Sequence, residues 1–402
     1  MKMRYKSTLL AGITLIGLPL CLLSSCTSAL LSNSPNSKKI HVKIVADSTY
    51  VTSVRWKNNV CQMMDAVNEV YRSWYEIEFI IDTIQLIDFS ISEQCPNLYE
   101  NDCIVTQIPR GSSDLVIFLS KETSTARYSL AGSSYPDLGY VYVKQMNWPG
   151  AKEPFKWAFI VTVHELAHML GAMHIYPQSG KRYITTPTMH DLRIQREGKT
   201  YAFGDPQFDP ANRRIIAAFT TRPFFENSWT PATWPTIRKA YDVTHNSFDQ
   251  WRLNDKGAFT DNPDSYFLIH DRYYFLATFA SLCKLDTLAL AYADSLNIIS
   301  TALLKLEPSS TNQPLYYLKE NMGSNWSLAI KAHACYLKAE ILMRAFRFDE
   351  ADSQAQLYAE KSQNAGFSPI GIEKEKAFLF WKQRMYRQQK MERDNGGTPE
   401  NH

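Results

Sequence analysis

The sequence predicts an α/β (α+β) domain with a mixed twisted sheet, followed by an all-α domain built from helical hairpins. Up to about residue 225, short runs rich in β-branched residues alternate with amphipathic stretches, whereas from residue 266 onward the hydrophobic residues recur with a helical period. The 402 residues exceed what one core usually holds, and 45% hydrophobic with 21% charged residues is an ordinary globular composition. A formal net charge of +3, without a basic cluster among aromatic residues, argues against a nucleic-acid partner.

The first domain, residues 40–225, begins with strands and closes with helices. Hydrophobic runs predict strands at 40–48, 77–89 and 113–120, and a helix at 55–75. The alternating stretch LGYVYVKQM predicts an edge strand that contains Gly139, Tyr140, Val141 and Tyr142. Two helices are expected next, at 156–170 and at 211–221, the second of which follows the capping pair Asp209 and Pro210.

The second domain, residues 266–390, is predicted to contain two helical hairpins and a closing helix, before a disordered tail at 391–402. Residues 226–265 lack a clear period and are interpreted as an ordered connector. The helices are expected at 265–283, 286–306, 325–346, 347–363 and 373–393. The stretch FRFDEADSQA resembles the turn and second-helix start of tetratricopeptide (TPR) units, which implies a TPR-like domain and a candidate surface for a protein partner. The aromatic and alanine stripes are interpreted as hairpin core in preference to a peptide groove.

The stretch VTVHELAHMLGAMHIYP, residues 161–177, contains three histidines within eleven residues. His164 and His168 are four residues apart, so both imidazoles lie on one helix face and can reach one ion. Gly171 can end the helix with a positive φ, which lets His174 approach the ion from a separate segment. Three such ligands with one open position are typical of a catalytic zinc site, with one Zn²⁺ per chain. Glu165 lies off the ligand face and is therefore predicted to be the general base.

The motif HELAHMLGAMH resembles the zinc signature of the metzincin metallopeptidases. This resemblance implies a metzincin-like catalytic domain, with which the predicted order of strands and helices agrees. It also implies a methionine-containing turn beneath the metal, for which Met189 in ITTPTMHDL is the candidate; a plain core methionine is the alternative. Ile175 follows the third histidine, and Asp191 stands where some members carry a metal-touching tyrosine, so the subfamily stays open.

The first 25 residues are typical of a targeting segment, because Lys2, Arg4 and Lys6 precede an apolar run at 9–23. That run is shorter than the roughly 20 residues that a spanning helix needs. The tetrad LSSC resembles a bacterial lipobox, which implies lipidation of Cys26 and a membrane-anchored protein of the cell envelope. A plain secretory peptide or an uncleaved signal anchor is the alternative. Residues 26–39 predict a flexible tether. No acidic residue follows Cys26, which, by the resemblance to bacterial lipoproteins, implies the outer rather than the inner membrane, with the periplasmic or surface face open.

Export would place the five remaining cysteines in an oxidising environment. Cys95 and Cys103 flank the polar stretch CPNLYENDC and are the predicted disulfide. Cys283 and Cys335 lie on helical stretches that could touch, and Cys61 is expected to be the free cysteine.

Together these observations predict a membrane-tethered zinc endopeptidase that cleaves peptide or protein substrates with a zinc-activated water, with Glu165 as general base and then acid. An extended peptide is expected to add to the edge strand around Tyr140. Two alternatives remain open. One is a helical interaction or scaffold protein of the envelope with a vestigial zinc site, and the other is a zinc hydrolase of non-protein amides.

Overall fold

The structure of the protein, a computed structural model, describes residues 37–51, 54–87, 97–121, 132–145, 154–173, 208, 210–220, 229–247, 264–303 and 326–395. The chain divides by its contacts into two compact units, Met1–Leu31 and Ser32–His402. All of the described residues belong to the second unit, so the predicted targeting segment and Cys26 lie outside them.

A five-stranded sheet forms the centre of the N-terminal half. Its strands are β1 Lys38–Asp47, β2 Ile77–Ile87, β3 Leu115–Lys121, β4 Gly132–Tyr135 and β5 Tyr140–Gln145. Their spatial order is β2-β1-β3-β5-β4, and all neighbours are parallel except β4 and β5, which pair antiparallel. The sheet is therefore mixed, and the four strands expected from the sequence are present at nearly their expected positions.

The strand that was predicted to lie at the edge of the sheet is present as β5, but its edge position is wrong, because β5 lies between β3 and β4. Tyr140, Val141 and Tyr142 pair with β3 on one side and with β4 on the other. Gly139 adopts φ +81° in the turn between β4 and β5, where its N–H donates to the Tyr135 carbonyl at 2.9 Å. Strand β4 has the sequence GSSY, which carries no hydrophobic alternation and therefore gives no strand signal.

Four helices accompany the sheet: α1 Trp56–Tyr75, α2 Glu100–Gln107, α3 Pro154–Met169 and α4 Pro210–Thr220. Helix α1 buries Val60, Met63, Met64 and Val67, whose spacing of three and four residues places them on one face. Helix α2 was not predicted, since its sequence ENDCIVTQ is short and mostly polar. The other three agree with the expected helices.

A short 3-10 turn, Pro231–Thr233, and six further helices complete the described chain. The helices are α5 Trp234–Ser247, α6 Asp264–Leu282, α7 Asp286–Leu303, α8 Trp326–Arg344, α9 Phe348–Asn364 and α10 Pro369–Asp394. Helix α5 lies within the predicted connector, and α10 extends to Asp394, so residues 391–394 are helical and not part of a disordered tail. Helical hairpins are present as expected, and their TPR-like character stays a prediction.

The two faces of the sheet are covered by different helices. One face, with Val42, Ile117 and Val143, belongs to a continuous core that also includes residues of α1 and α3 to α8. The opposite face, with Phe118 and Tyr142, packs against α2 and against the closing helix α10. Helices from both sides of the predicted connector therefore contribute to one core around the sheet and α3.

Candidate metal centre

Helix α3 carries the motif residues and ends where the sequence predicts. Gly171 has φ +80°, and its N–H donates to the His168 carbonyl at 2.9 Å while the N–H of Ala172 donates to the Ala167 carbonyl at 3.0 Å. This pair of bonds is the Schellman termination, which needs a left-handed residue at the position of Gly171. A Cβ at Gly171 would lie 2.6 Å from the ring of Phe219 in α4, so space as well as φ requires glycine.

The two described histidines of the motif meet in a buried site. His164 is 5% and His168 is 6% exposed, and their Nε2 atoms lie 3.0 Å apart. Two nitrogens bound to one zinc at about 2.0–2.1 Å with tetrahedral geometry would be separated by about 3.4 Å. Their arrangement therefore fits two ligands of one ion.

The backbone fixes the proton on the second histidine. His168 Nδ1 lies 2.6 Å from the carbonyl oxygen of Ala172, which can only accept a hydrogen bond, so Nδ1 is the donor. In the neutral ring the lone pair is then on Nε2, which is the atom that faces His164. Such an outer hydrogen bond is what usually orients a metal-binding imidazole.

Glu165 lies beside this pair and against the edge of the sheet. Its side chain is buried, with the residue 6% exposed, and a Cβ built on Gly132 of β4 would lie 2.6 Å from Glu165 Oε1. The same Cβ would lie 2.7 Å from Val161 on the preceding turn of α3. Gly132 thus lets the edge strand β4 pass directly over the carboxylate, a contact that the sequence analysis did not anticipate.

Residues from the later helices close the site from the other side. The ring of Phe275 in α6 is stacked on the ring of His168, with centroids 6.3 Å apart and an interplanar angle of 17°. The hydroxyl of Tyr241 in α5 donates to the Gly171 carbonyl at 2.6 Å. Phe275 looked like ordinary helix core in the sequence, and Tyr241 lay within the predicted connector. No local pattern connects either residue with the histidine motif.

A buried amide holds the chain just after the helix. Asn212 in α4 is fully buried, and its side chain accepts from the N–H of Met173 and donates to the carbonyl of Met173, both at 2.8 Å. An asparagine on the inner face of an amphipathic helix was the only available signal for this role. The next residue, His174, lies outside the described residues.

The comparison with protein families decides the class of this segment. Residues 36–224, just under half of the chain, match the model described as metallo-peptidase family M12. This segment is a metzincin-type zinc metallopeptidase domain. The prediction of a metzincin-type metallopeptidase domain is thereby confirmed for this segment.

The crystal structure of archaemetzincin from Methanopyrus kandleri is 15% identical in sequence, covers 47% of this chain and 99% of its own chain, and gives a TM-score of 0.35. No curated protein matches the sequence significantly.

Several predicted residues of the metzincin-type domain lie outside the described part of the chain, namely His174, Met189 and Cys95. Within the described residues, no group of three or more His, Cys, Asp or Glu side chains is arranged to hold a metal ion. Two of the three predicted ligands are thus brought together, and the third stays a prediction.

The cysteines differ from the sequence-based pairing. Cys61 is disulfide-bonded, so its prediction as the free cysteine is wrong, and Cys103 is disulfide-bonded as expected. Its predicted partner Cys95 is among the residues not described. Cys283 and Cys335 are buried thiols and do not form a bridge.

Of the helices in the described ranges, none is long and apolar enough to cross a membrane.

Proposed function

We propose that the chain is a zinc-dependent endopeptidase in which His164, His168 and His174 hold one zinc ion and Glu165 moves protons. The observation that supports this most directly is the buried pair of Nε2 atoms of His164 and His168, 3.0 Å apart, on the helix that also carries the buried Glu165. In this proposal Met189 provides the methionine turn beneath the ion, as the resemblance to metzincins implies.

The chemistry is divided between the ion and the chain. Zinc, when bound, polarises a scissile carbonyl and lowers the pKa of a water molecule toward about 7. Glu165 takes the proton of the attacking water and later delivers it to the leaving amine. The hydrogen bond from His168 Nδ1 to Ala172 keeps the ring in the tautomer that offers Nε2. The ring of Phe275 packs against the imidazole of His168.

The substrate is proposed to bind along β4 and not along β5. Strand β4 is the last strand of the sheet and starts at Gly132, against Glu165. An extended peptide that adds to the outer edge of β4 would gain main-chain hydrogen bonds and would pass over the base. This favours peptide bonds within an extended chain over small non-protein amides.

The test is cleavage of a peptide library by the purified mature protein. Cleavage should be abolished by a chelator and restored by about one equivalent of zinc. Cleavage at internal bonds supports an endopeptidase, and release of single terminal residues only would contradict it. If no peptide is cleaved with zinc bound, the helical interaction protein becomes the better interpretation.

Membrane attachment is proposed through Cys26, on the lipobox resemblance alone, with an outer-membrane location favoured. Replacement of Cys26 by Ala removes the thiol that would carry the lipid, so incorporation of a fatty-acid analogue should be lost in Cys26→Ala. The same substitution at Cys21, which lies in the apolar run, is the matched control and should leave labelling unchanged. Equal labelling of the parent protein and Cys26→Ala would refute the anchor.

A further inference from the structure

The turn that joins β4 to β5 is connected to the C-terminal helices by four buried charges. Asp137 in this turn accepts a hydrogen bond from Arg344 of α8 at 2.8 Å and lies 3.4 Å from Lys382 Nζ of α10. Glu340 of α8 completes the group, since it forms ion pairs with Lys382 and, at 3.8 Å, with Arg344. We call Asp137, Glu340, Arg344 and Lys382 the hairpin clamp.

The hairpin clamp is balanced in charge and shielded from solvent. Its side chains are between 3% and 8% exposed, and it contains two acidic and two basic groups. Burial alone would raise the pKa of the Asp137 carboxyl, but Lys382 and Arg344 lower that pKa to about 2. Asp137 therefore keeps its charge at physiological pH. Separating one buried pair would leave an uncompensated charge inside the protein, so these ion pairs resist being pulled apart.

A second set of contacts joins the same hairpin to α2 and again to α10. Tyr135, the last residue of β4, donates its hydroxyl hydrogen to Asp102 of α2 at 2.6 Å. Its ring packs edge-on against Phe378 of α10, with centroids 5.9 Å apart. Phe378 and Lys382 are four residues apart on α10, so one face of this helix contacts both the strand end and the turn.

The other end of β4 lies against helix α3, which carries Glu165. Gly132 packs against Glu165, and three residue steps, about 10 Å of extended chain, separate Gly132 from Tyr135. The short strand is therefore held at its start by α3 and at its end by α8 and α10. A shift of the hairpin would change the distance between its open edge and the Glu165 carboxylate.

We propose that Asp137, Arg344 and Lys382 are positioning residues for peptide hydrolysis. They hold β4 in a fixed position relative to the Glu165 carboxylate. The C-terminal helices would thereby form part of the cleavage machinery, instead of serving only as a docking module. This inference rests on the proposed function for its kinetic test, but its structural test does not.

The experiment uses the full mature chain and the double variant Asp137→Ala/Lys382→Met. This variant removes one charge of each sign. Glu340 and Arg344 then remain as an ion pair without net charge, and no unpaired charge is left behind. The matched control is Lys376→Met, which removes a lysine from the same helix whose ion pair with Glu373 is solvent-exposed. Lys382→Arg keeps the charge and is the conservative variant.

The first measurement is amide hydrogen exchange in the β4–β5 hairpin, at Leu138 and Gly139, whose N–H groups donate to Tyr135. Exchange should be at least about tenfold faster in the double variant, unchanged in Lys376→Met and near the parent rate in Lys382→Arg. Equal exchange in the parent and the double variant would overturn the inference, whether or not the protein cleaves peptides.

The second measurement is peptide cleavage with zinc content determined in parallel. The double variant should retain zinc and lose at least about tenfold in kcat/KM, since misplacement of a positioned substrate is costly. An unchanged kcat/KM despite faster exchange would also overturn it. If the double variant does not fold, Asp137→Asn is measured in the same way, with the same outcomes. A parent protein without peptidase activity would instead contradict the proposed function and leave the exchange result to decide the clamp.

Discussion

At the scale of single residues, the metal-binding pattern was readable because it depends on spacing along one helix. Histidines four residues apart must share a helix face, and His164 and His168 do so in the structure. The tautomer of His168 was not readable. It depends on the carbonyl of Ala172, which faces the ring only after Gly171 has turned the chain.

Glu165→Gln tests the role of the base. The change keeps the shape of the side chain but removes its ability to accept a proton, so we expect zinc content to persist while peptide cleavage falls by at least about 10²-fold. Zinc analysis and steady-state kinetics on the same sample measure both effects. Glu69→Gln, an exposed residue on α1, is the control and should retain activity. Parental cleavage rates in a zinc-loaded Glu165→Gln protein would exclude the proposed mechanism.

Asp102→Asn tests a buried carboxyl near the hairpin. Burial is the main cause that raises the pKa of Asp102 to about 6, against the hydrogen bond from Tyr135 and the charge of Lys382, which lower it; Glu375 and Glu340 add smaller contributions to the rise. Because the folded pKa is above the ordinary value of 3.8, the stability that protonated Asp102 contributes is complete below about pH 4 and is lost as the pH rises through about 6.

Asparagine carries no charge at either pH and still accepts from Tyr135. We therefore expect Asp102→Asn to be more stable than the parent by about 1–3 kcal/mol near pH 7.5, and to show no such gain near pH 4. Urea unfolding at both pH values measures the difference. Asp65→Asn, at an exposed position of α1, should show no pH-dependent gain. A gain for Asp102→Asn that is the same at both pH values would contradict the assignment.

At the scale of elements, long periodic segments were predictable and short polar ones were not. Strand β3 begins with five consecutive hydrophobic residues, and α1 has a clear apolar face, so each carries its own signal. Strand β4 and helix α2 have almost none, because they are stabilised by their neighbours. β4 pairs with β5, and Cys103 of α2 is disulfide-bonded. The edge of the sheet was misassigned for that reason.

Gly171→Ala tests how the zinc helix ends. Gly366 after α9 is an internal reference, since it has φ +83°, and the N–H groups of Gly366 and Phe367 donate to Gln363 and Ser362 in the same Schellman pattern. No atom lies within 4 Å of a Cβ built on Gly366, whereas at Gly171 the Phe219 ring lies at 2.6 Å.

We expect Gly366→Ala to cost about 1 kcal/mol for the left-handed backbone alone. Gly171→Ala should cost about 1–3 kcal/mol more, because it adds overpacking against Phe219. Chemical denaturation of both variants gives the two free energies of unfolding. Equal losses would mean that the Phe219 contact does not limit this position.

At the scale of the whole molecule, the sheet, the zinc helix and the later helices share one core. Leu276 and Phe279 of α6 are fully buried in it, and Phe279 stacks edge-on against Phe219 at 4.7 Å. Chain length and the change of pattern along the sequence suggested two domains. Sequence periodicity reports which face of a helix is buried, but not which other element covers that face.

A chain that ends at residue 225 is therefore expected not to fold cooperatively, since it exposes the surface that α5 and α6 cover. The mature full-length chain should unfold in one transition, with coincident curves from tryptophan fluorescence and far-ultraviolet circular dichroism. A chain that ends at residue 395, after the last helix, is the control and should unfold like the parent. A cooperative transition of the 225-residue chain near the parental midpoint would show that the N-terminal half is stable alone.

The two buried thiols give the molecule a built-in reporter of its own opening. Cys283 is fully buried at the end of α6, with its sulfur 3.3 Å from the Thr233 hydroxyl, and Cys335 is 3% exposed on α8. A thiol shut inside a helical core reacts with oxidants or alkylating reagents only when its surroundings separate. In an oxidising compartment, the fraction of each sulfhydryl group that stays reduced would therefore show how rarely the helices around it separate. Comparing their alkylation rates would show whether the helices next to the sheet loosen before or after those at the C-terminal end.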